Sequence, residues 1–331
     1  MTTNSQQSQA LVWEKERAAA ANNGHGADNN PQLNKDAEKH SGPSRTLWGD
    51  AWNRLKQNKL AIIAACWIVF IVLVALTCDL WAPQLLGSPI EISSADTAKL
   101  SLLPPSLEHP FGTDLLGRDV LVRIIYGTRV SLAVGILATA ISTAIGLVMG
   151  ALAAYYGGWL DMIIMRLADI FLAFPYILFV IAMLAVIGPG FQNVFIAIGI
   201  LGWPSIARVF RSAILSVQEN DYISAARALG ASDVRIIARH IFPNAVASIV
   251  VYATMSIGGA ILTESALSFI GMGVTPPTPS WGQMINDGRA YLANAPWIML
   301  APGFAILSTV LSFTLLGDGL RDALDVKLKD A

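Results

Sequence analysis

Charge is scarce in this sequence. Only 14% of its 331 residues are Asp, Glu, Lys or Arg, against about 25% in ordinary soluble domains. A chain folded wholly in water is thereby excluded. Cysteine is scarcer still, with Cys66 and Cys78 alone. Twelve residues apart on one apolar helix, they lie too far apart to bridge and read as small buried hydrophobes. No disulfide or zinc framework can be built from them. His25, His40, His109 and His240 fall in no His-Glu-x-x-His or similar ligand spacing, so neither a metal site nor a catalytic centre is expected. The Gly-x-x-x-x-Gly-Lys run that cradles ATP phosphates is absent, and so is a Gly-x-Ser-x-Gly nucleophile elbow.

What the chain has is apolar length, with 54% of its residues hydrophobic. Residues 1–45, rich in Ala, Asn, Gln and Ser, read as a disordered tail. They hold no apolar signal-peptide core. Over 46–59, Leu47, Trp48, Trp52 and Leu55 recur at helical spacing opposite Arg54, Lys56 and Lys59, the pattern of a helix lying in a membrane interface. A spanning helix needs ~20 apolar residues. Leu60–Cys78 is an uncharged run of 19, Val130–Leu160 carries no charge, and Ile170–Ala207 is an uncharged run of 38. As one helix the last would measure ~57 Å, nearly twice the hydrocarbon thickness, so it is divided at Gly188-Pro189-Gly190. The expected architecture is an all-α membrane protein with six spans at about 60–80, 130–155, 163–187, 191–213, 243–267 and 297–317. The long connections are 81–129 and 214–242. Of the Lys and Arg residues, sixteen fall on the side of the termini and of the fourth-to-fifth connection, and five on the other, with Arg166 inside the third span. The positive-inside rule then makes both termini cytoplasmic, 81–129 external and 214–242 internal.

The internal connection reads as two short helices. The first ends at Gly230, suited to a left-handed cap. Ser232 is placed to cap the second, with Asp233 favoured by the helix dipole. Pro243 stops that helix and can open the next. Ala225 and Ala226 leave little side-chain bulk, so another protein can approach closely. Arg227, Arg235 and Arg239 add a basic face.

This stretch is similar to the signature of ABC importer permeases, Glu-Ala-Ala, three residues, Gly, nine residues, Ile-x-Leu-Pro. Ala225, Ala226, Gly230 and Pro243 match in register, while Ser224, His240 and Phe242 stand where the pattern has Glu, Ile and Leu. Further segments resemble the peptide and nickel branch of that family. They are His109-Pro-Phe-Gly-Thr-Asp-Leu-Leu-Gly-Arg-Asp119, Arg129–Gly135, Glu264-Ser-Ala-Leu-Ser-Phe-Ile-Gly271, Pro276-Pro-Thr-Pro-Ser-Trp-Gly282 and Gly317-Asp-Gly-Leu-Arg-Asp-Ala-Leu-Asp325. The last looks like the C-type permease of dipeptide and oligopeptide importers.

The resemblance implies a type I importer permease in a bacterial inner membrane, paired with a B-type permease. Two cytoplasmic ATPases would bind ATP and magnesium and grip Ser224, Ala225, Ala226, Arg227, Gly230, His240 and Pro243. An extracytoplasmic binding protein would deliver peptide to a face bearing His109, Gly112, Asp114, Gly117, Arg118, Asp119 and Trp281. By their own chemistry Gly112, Gly117 and Asp119 read only as turn residues. No cofactor in this chain and no nucleic-acid partner is expected. Arg166 and Asp169, three apart, read as an interfacial ion pair. Glu264 is either a pathway acid or a structural one near the interface. The competing reading, a proton-driven transporter with Asp169 and Glu264 as relay groups, would show inverted repeats, and none is evident. A membrane-embedded enzyme finds no nucleophile–base or metal pattern.

Overall fold

Each membrane-length helix closes its own backbone hydrogen bonds, the condition for crossing a lipid core. In a computed structural model, residues 47–85 and 99–324 are described, and the described chain consists of helices joined by turns and irregular segments, with an isolated bridge between Thr113 and Asp119. The tail expected over residues 1–45 lies outside the described residues, as do the side chain of His240 and residues 325–331.

The order is α1 (Leu47–Leu55), α2 (Lys59–Leu85), α3 (Val120–Tyr156), α4 (Gly158–Ala173), α5 (Tyr176–Ile187) and α6 (Phe191–Gln218). It continues with α7 (Asp221–Ala228), α8 (Asp233–Ile236), a π-turn over Ile237–Ile241, α9 (Phe242–Phe269), α10 (Trp281–Gly288) and α11 (Trp297–Leu324). Five helices, α2, α3, α6, α9 and α11, are individually long and apolar enough to cross a membrane. The described residues thus hold five such helices, or six spans, as expected, if the bent pair α4–α5 is counted as one.

Two boundaries differ from the sequence expectation. The second span starts ten residues early, because Asp119 caps α3 by accepting from the Val122 N–H. At 37 residues and ~1.5 Å each, α3 outruns the ~30 Å hydrocarbon layer, so Arg123 and Arg129 ride on its extension. The third span is not one helix over 163–187. Pro175 breaks it, and α4 and α5 meet at 89°. The residue before a proline is driven out of the helical region, and Phe174 is extended at φ −90, ψ 143. The Tyr176 hydroxyl donates to the Ile198 carbonyl at 2.9 Å, pinning α5 to α6.

From Asp50 onward the described chain is one compact unit. Its centre is the α3–α6 pair, the most extensive helix contact, and small residues make it close. A Cβ on Gly150 would stand 2.6 Å from the Ala207 carbonyl oxygen, so only glycine admits this approach, as in membrane helix pairs generally. Helix α9 packs on α3, α6 and α11, and α11 also covers α2. Large aliphatic side chains line the outside, including Ile63, Leu73, Leu76 and Leu80 on α2 and Leu300, Leu307 and Leu311 on α11. Stripes of that size suit lipid tails and would be an aggregation hazard in water. Cys66 belongs to this exposed face, contrary to the expectation that both cysteines are buried. Cys78 is buried, and both are free thiols.

Candidate functional site

The two long connections cap opposite ends of the helices and are built differently. The elbow, residues 219–241, begins where the Asn220 side chain closes the end of α6 by donating to the Ser216 and Val217 carbonyls at 3.2 and 3.0 Å. Helix α7 carries Asp221 in its first turn and Arg227 in its last, each complementing the helix dipole. Its end is a Schellman turn. The Ala231 N–H reaches back to the Ala226 carbonyl and the Gly230 N–H to that of Arg227, with Gly230 left-handed at φ +80. Ser232 then stands just before α8.

Pro243 does not stop the second elbow helix, as the sequence suggested. The backbone passes from α8 through the π-turn into α9 without a break, and Pro243 occupies the first turn of α9. The Phe242 N–H donates to the Ile237 carbonyl, the five-residue spacing of a π-turn. That widened turn accommodates a residue with no N–H to give.

The elbow has two faces. Ile223, Ile236 and Ile241 are buried with Phe210, Ile214 and Ile249 in one cluster, and Ala226 and Ala231 pack against it. On the other face Ser224, Ala225, Arg227 and Gly230 are exposed, and Leu229 is 88% exposed. A Cβ at Gly230 would meet nothing within 4 Å, so this glycine is needed for its backbone angle and not for space. An open cleft of about 560 Å³ separates Arg227, Ala231 and Ser232 from Tyr155 and Tyr156 at the end of α3.

Ion pairs brace the helices beside the elbow. Arg211 on α6 makes a two-pronged contact with Asp161 on α4, both bonds at 2.5 Å. Arg208 donates to Asp169, which also pairs with Arg166 at 3.6 Å. Arg166 and Asp169 are therefore joined by a third residue that the sequence analysis did not single out, and both side chains lie at the surface.

The cap comprises 99–119 and 270–296. Here the motif residues turn inward. Asp114 is 2% exposed. Its Oδ1 accepts from the Leu116 and Arg118 N–H groups, each at 2.9 Å. Its Oδ2 accepts from Arg118 Nε at 2.7 Å and Arg123 Nη1 at 2.6 Å. Arg123, itself 1% exposed, extends Nη2 to Asp287 on α10 at 3.2 Å. His109 Nδ1 lies 2.9 Å from Asp119 Oδ2, so Asp119 orients the histidine while capping α3. Gly112 is buried at φ +71, and a Cβ there would strike the Leu103 carbonyl oxygen and the Trp297 ring at 2.6 Å. Trp281 is 1% exposed, its Nε1 donating to the Ile124 carbonyl at 3.1 Å.

For four of the seven residues expected to present a face to a partner this burial is a correction, whereas His109, Arg118 and Asp119 stay partly exposed. Asp114, Gly112, Gly117 and Trp281 are buried within the chain, and His109, Arg118 and Asp119 spend their polar groups internally. The exposed cap residues include the large apolar Leu107, Phe111, Leu115, Leu116, Ile270 and Leu292, together with the charged Lys99, Glu108 and Arg289. Arg123 and Asp287 were missed. Arg123 carried a signal, a lone cation one turn after a capping aspartate, whereas Asp287 stands in no motif.

Glu264 is fully buried and accepts hydrogen bonds from Ser268 at 2.7 Å, Ser131 at 3.3 Å and Ser265 at 3.4 Å. Ser131 Oγ in turn accepts from the Trp281 N–H, and Ser268 Oγ from the Val274 N–H. The acid thus knots α3 and α9 to the cap. Of the two roles left open for it, lining a pathway is not what this geometry supports. Among the described residues no His, Cys, Asp and Glu cluster could hold a metal.

Known proteins resemble this chain over most of its length. Residues 142–330 match the family of binding-protein-dependent transport system inner membrane components, and residues 46–105 match the N-terminal transmembrane domain of oligopeptide transport permease C. The dipeptide transport system permease protein DppC of Alkalihalophilus pseudofirmus is 47% identical over 283 residues, 85% of this chain and 90% of the relative. The glutathione transport system permease protein GsiD of Escherichia coli is 44% identical over 285 residues, 86% and 92% respectively. Inward-facing structures of the MetNI methionine ABC transporter align with TM-score 0.52 at 22% identity, covering 62% of this chain and 96% of that one, which speaks for the fold. The chain accordingly belongs to the inner-membrane permease subunits of ABC importers, in the peptide-importer permease C branch, and is a transport component with no catalysis of its own.

Proposed function

We infer that this chain is one of two unlike permease subunits in an ATP-driven importer of short peptides, with residues 221–243 as the handle on which a partner ATPase acts. The observation that carries this reading is the division of the elbow. Its inner face is anchored by Ile223, Ile236 and Ile241, while Ser224, Ala225 and Leu229 are exposed among the described residues. A rigid, small-residue surface seated on α6 and α9 passes any push directly into two spanning helices.

The basic elbow and both termini then lie in the cytoplasm, and the cap lies outside. ATP and magnesium belong to two ATPase subunits. When those close, the elbow moves and the helices alternate between inward and outward openings. A binding protein delivers peptide to the cap, where Leu107, Phe111, Leu115 and Leu116 are the surface it meets. The buried residues beneath set the shape of that surface. The peptide assignment draws on the dipeptide and glutathione permeases named above. Their B-type counterpart supplies the other half of the pathway.

Ala225→Trp tests the handle. The position is exposed, so the folded chain accommodates the ring. Stimulation of ATPase activity by loaded binding protein should fall about tenfold or more, as for loss of a contact worth roughly 1.4 kcal/mol or above. Full stimulation in an assembled complex would refute the elbow as the coupling site.

A further inference from the structure

A cavity of about 670 Å³, within the roughly 300–1,000 Å³ range of small-ligand sites, opens among α3, α5, α6 and α9. A second, of about 690 Å³, continues toward the elbow, and Tyr252, Met255 and Arg321 line both. Arg321 is the single charged residue in either lining. Among the described residues its guanidinium forms no ion pair, even with Asp318 and Asp322 on the same helix. Among the described residues no carboxylate lines these cavities.

The remaining polar side chains are hydroxyls, apart from the Asn244 amide in the second cavity. Ser142, Ser256 and Thr263 give their protons to the carbonyls of Gly199, Tyr252 and Gly259 at 2.8, 2.8 and 2.9 Å. Each keeps only acceptor capacity for a ligand. Thr139 is 94% buried by its 6% exposure, lines the first cavity, and its Oγ1 has no hydrogen-bond partner. A buried polar atom without a partner is costly, and this one belongs to a residue of the cavity wall.

We propose that this lane is a transit site for the peptide itself, with Arg321 binding the terminal carboxylate and the hydroxyls accepting from amine and amide N–H groups. The chemistry is that of a zwitterion. One fixed cation pairs with the carboxylate, acceptors on neutral side chains take the nitrogen end, and the absence of an acid leaves the ammonium without a trap. Because Arg321 sits at the junction nearer the elbow, the carboxylate travels first. The inference rests on the peptide-importer reading above and adds residues that no motif assigned to the pathway.

The test uses the complete importer in proteoliposomes with Ala-Ala and its C-terminal amide, each at a concentration that loads the binding protein equally. The unaltered importer should move the acid about tenfold faster than the amide, the size of one charge-assisted hydrogen bond. Arg321→Gln should remove that preference by slowing the acid and leaving the amide rate within about twofold. Equal rates for acid and amide in the unaltered importer overturn the proposal, and that reading needs no variant to fold. A parallel fall of both probes in Arg321→Gln would mark a structural residue and overturn it too. Loss of ATPase stimulation by loaded binding protein in the unaltered assembly would instead undo the importer reading.

Discussion

The elbow and the cap carry sequence motifs of similar strength, yet they use them in opposite ways. In the elbow, Ala225 and Gly230 stay at the surface and the anchoring is done by isoleucines that no motif includes. In the cap, Gly112, Asp114 and Gly117 are consumed by the fold, and the surface is left to residues around them, among them Leu107, Phe111, Leu115 and Leu116. A recurring pattern therefore marks constraint without saying whether a partner or the chain itself imposes it. Burial separates the two. A small residue kept exposed invites a neighbour, whereas a charged residue kept buried is already engaged.

The comparison is broken most severely at Asp114. Its removal in Asp114→Ala leaves the buried Arg123 guanidinium with only the partly exposed Asp287 as counter-charge, which should cost about 3 kcal/mol. The measurement is thermal unfolding in detergent or the level of folded protein in membranes. An unchanged midpoint would mean that the cap is not held by this network.

Gly230→Ala probes the elbow and should cost less. No atom lies near the added methyl, so the penalty is the left-handed backbone alone, about 1–2 kcal/mol. It should fall on the local turn, seen as faster amide exchange at residues 226–231 with the cap unaffected. Protection equal to the unaltered chain would show that the φ at 230 is not under constraint. Ala225→Trp should have the smallest effect on stability, within about 0.5 kcal/mol, despite the large loss of coupling expected of it. That pairing of stable fold and lost function is the reverse of Asp114→Ala.

Much of this was legible in the sequence, for physical reasons. Apolar runs of bilayer length leave few alternatives to spanning helices, and Gly188-Pro189-Gly190 had to be a turn. Gly230 announced the left-handed cap it adopts. The bend at Pro175 was overlooked because hydropathy is blind to it. Phe174-Pro175-Tyr176 is as apolar as its surroundings, and only the backbone restriction on Phe174 gives the break away. The start of α3 was placed late because Arg123 and Arg129 were read as outside a helix. In fact Asp119 caps the helix, and Asp114, Asp79 and Asp287 compensate the arginines. Partners so distant in sequence, 164 residues in the case of Asp287 and Arg123, have no local signature. Glu264 posed the same problem, since its serines come from α3 as well as its own helix.

Cross-linking from the exposed face of the elbow tests the central claim most directly. With Ser224→Cys in the assembled importer, a short thiol-reactive cross-linker should join this chain to an ATPase subunit, and ATP binding should change the yield. A cross-link to the extracytoplasmic binding protein, or none to any subunit while uptake proceeds, would contradict the account.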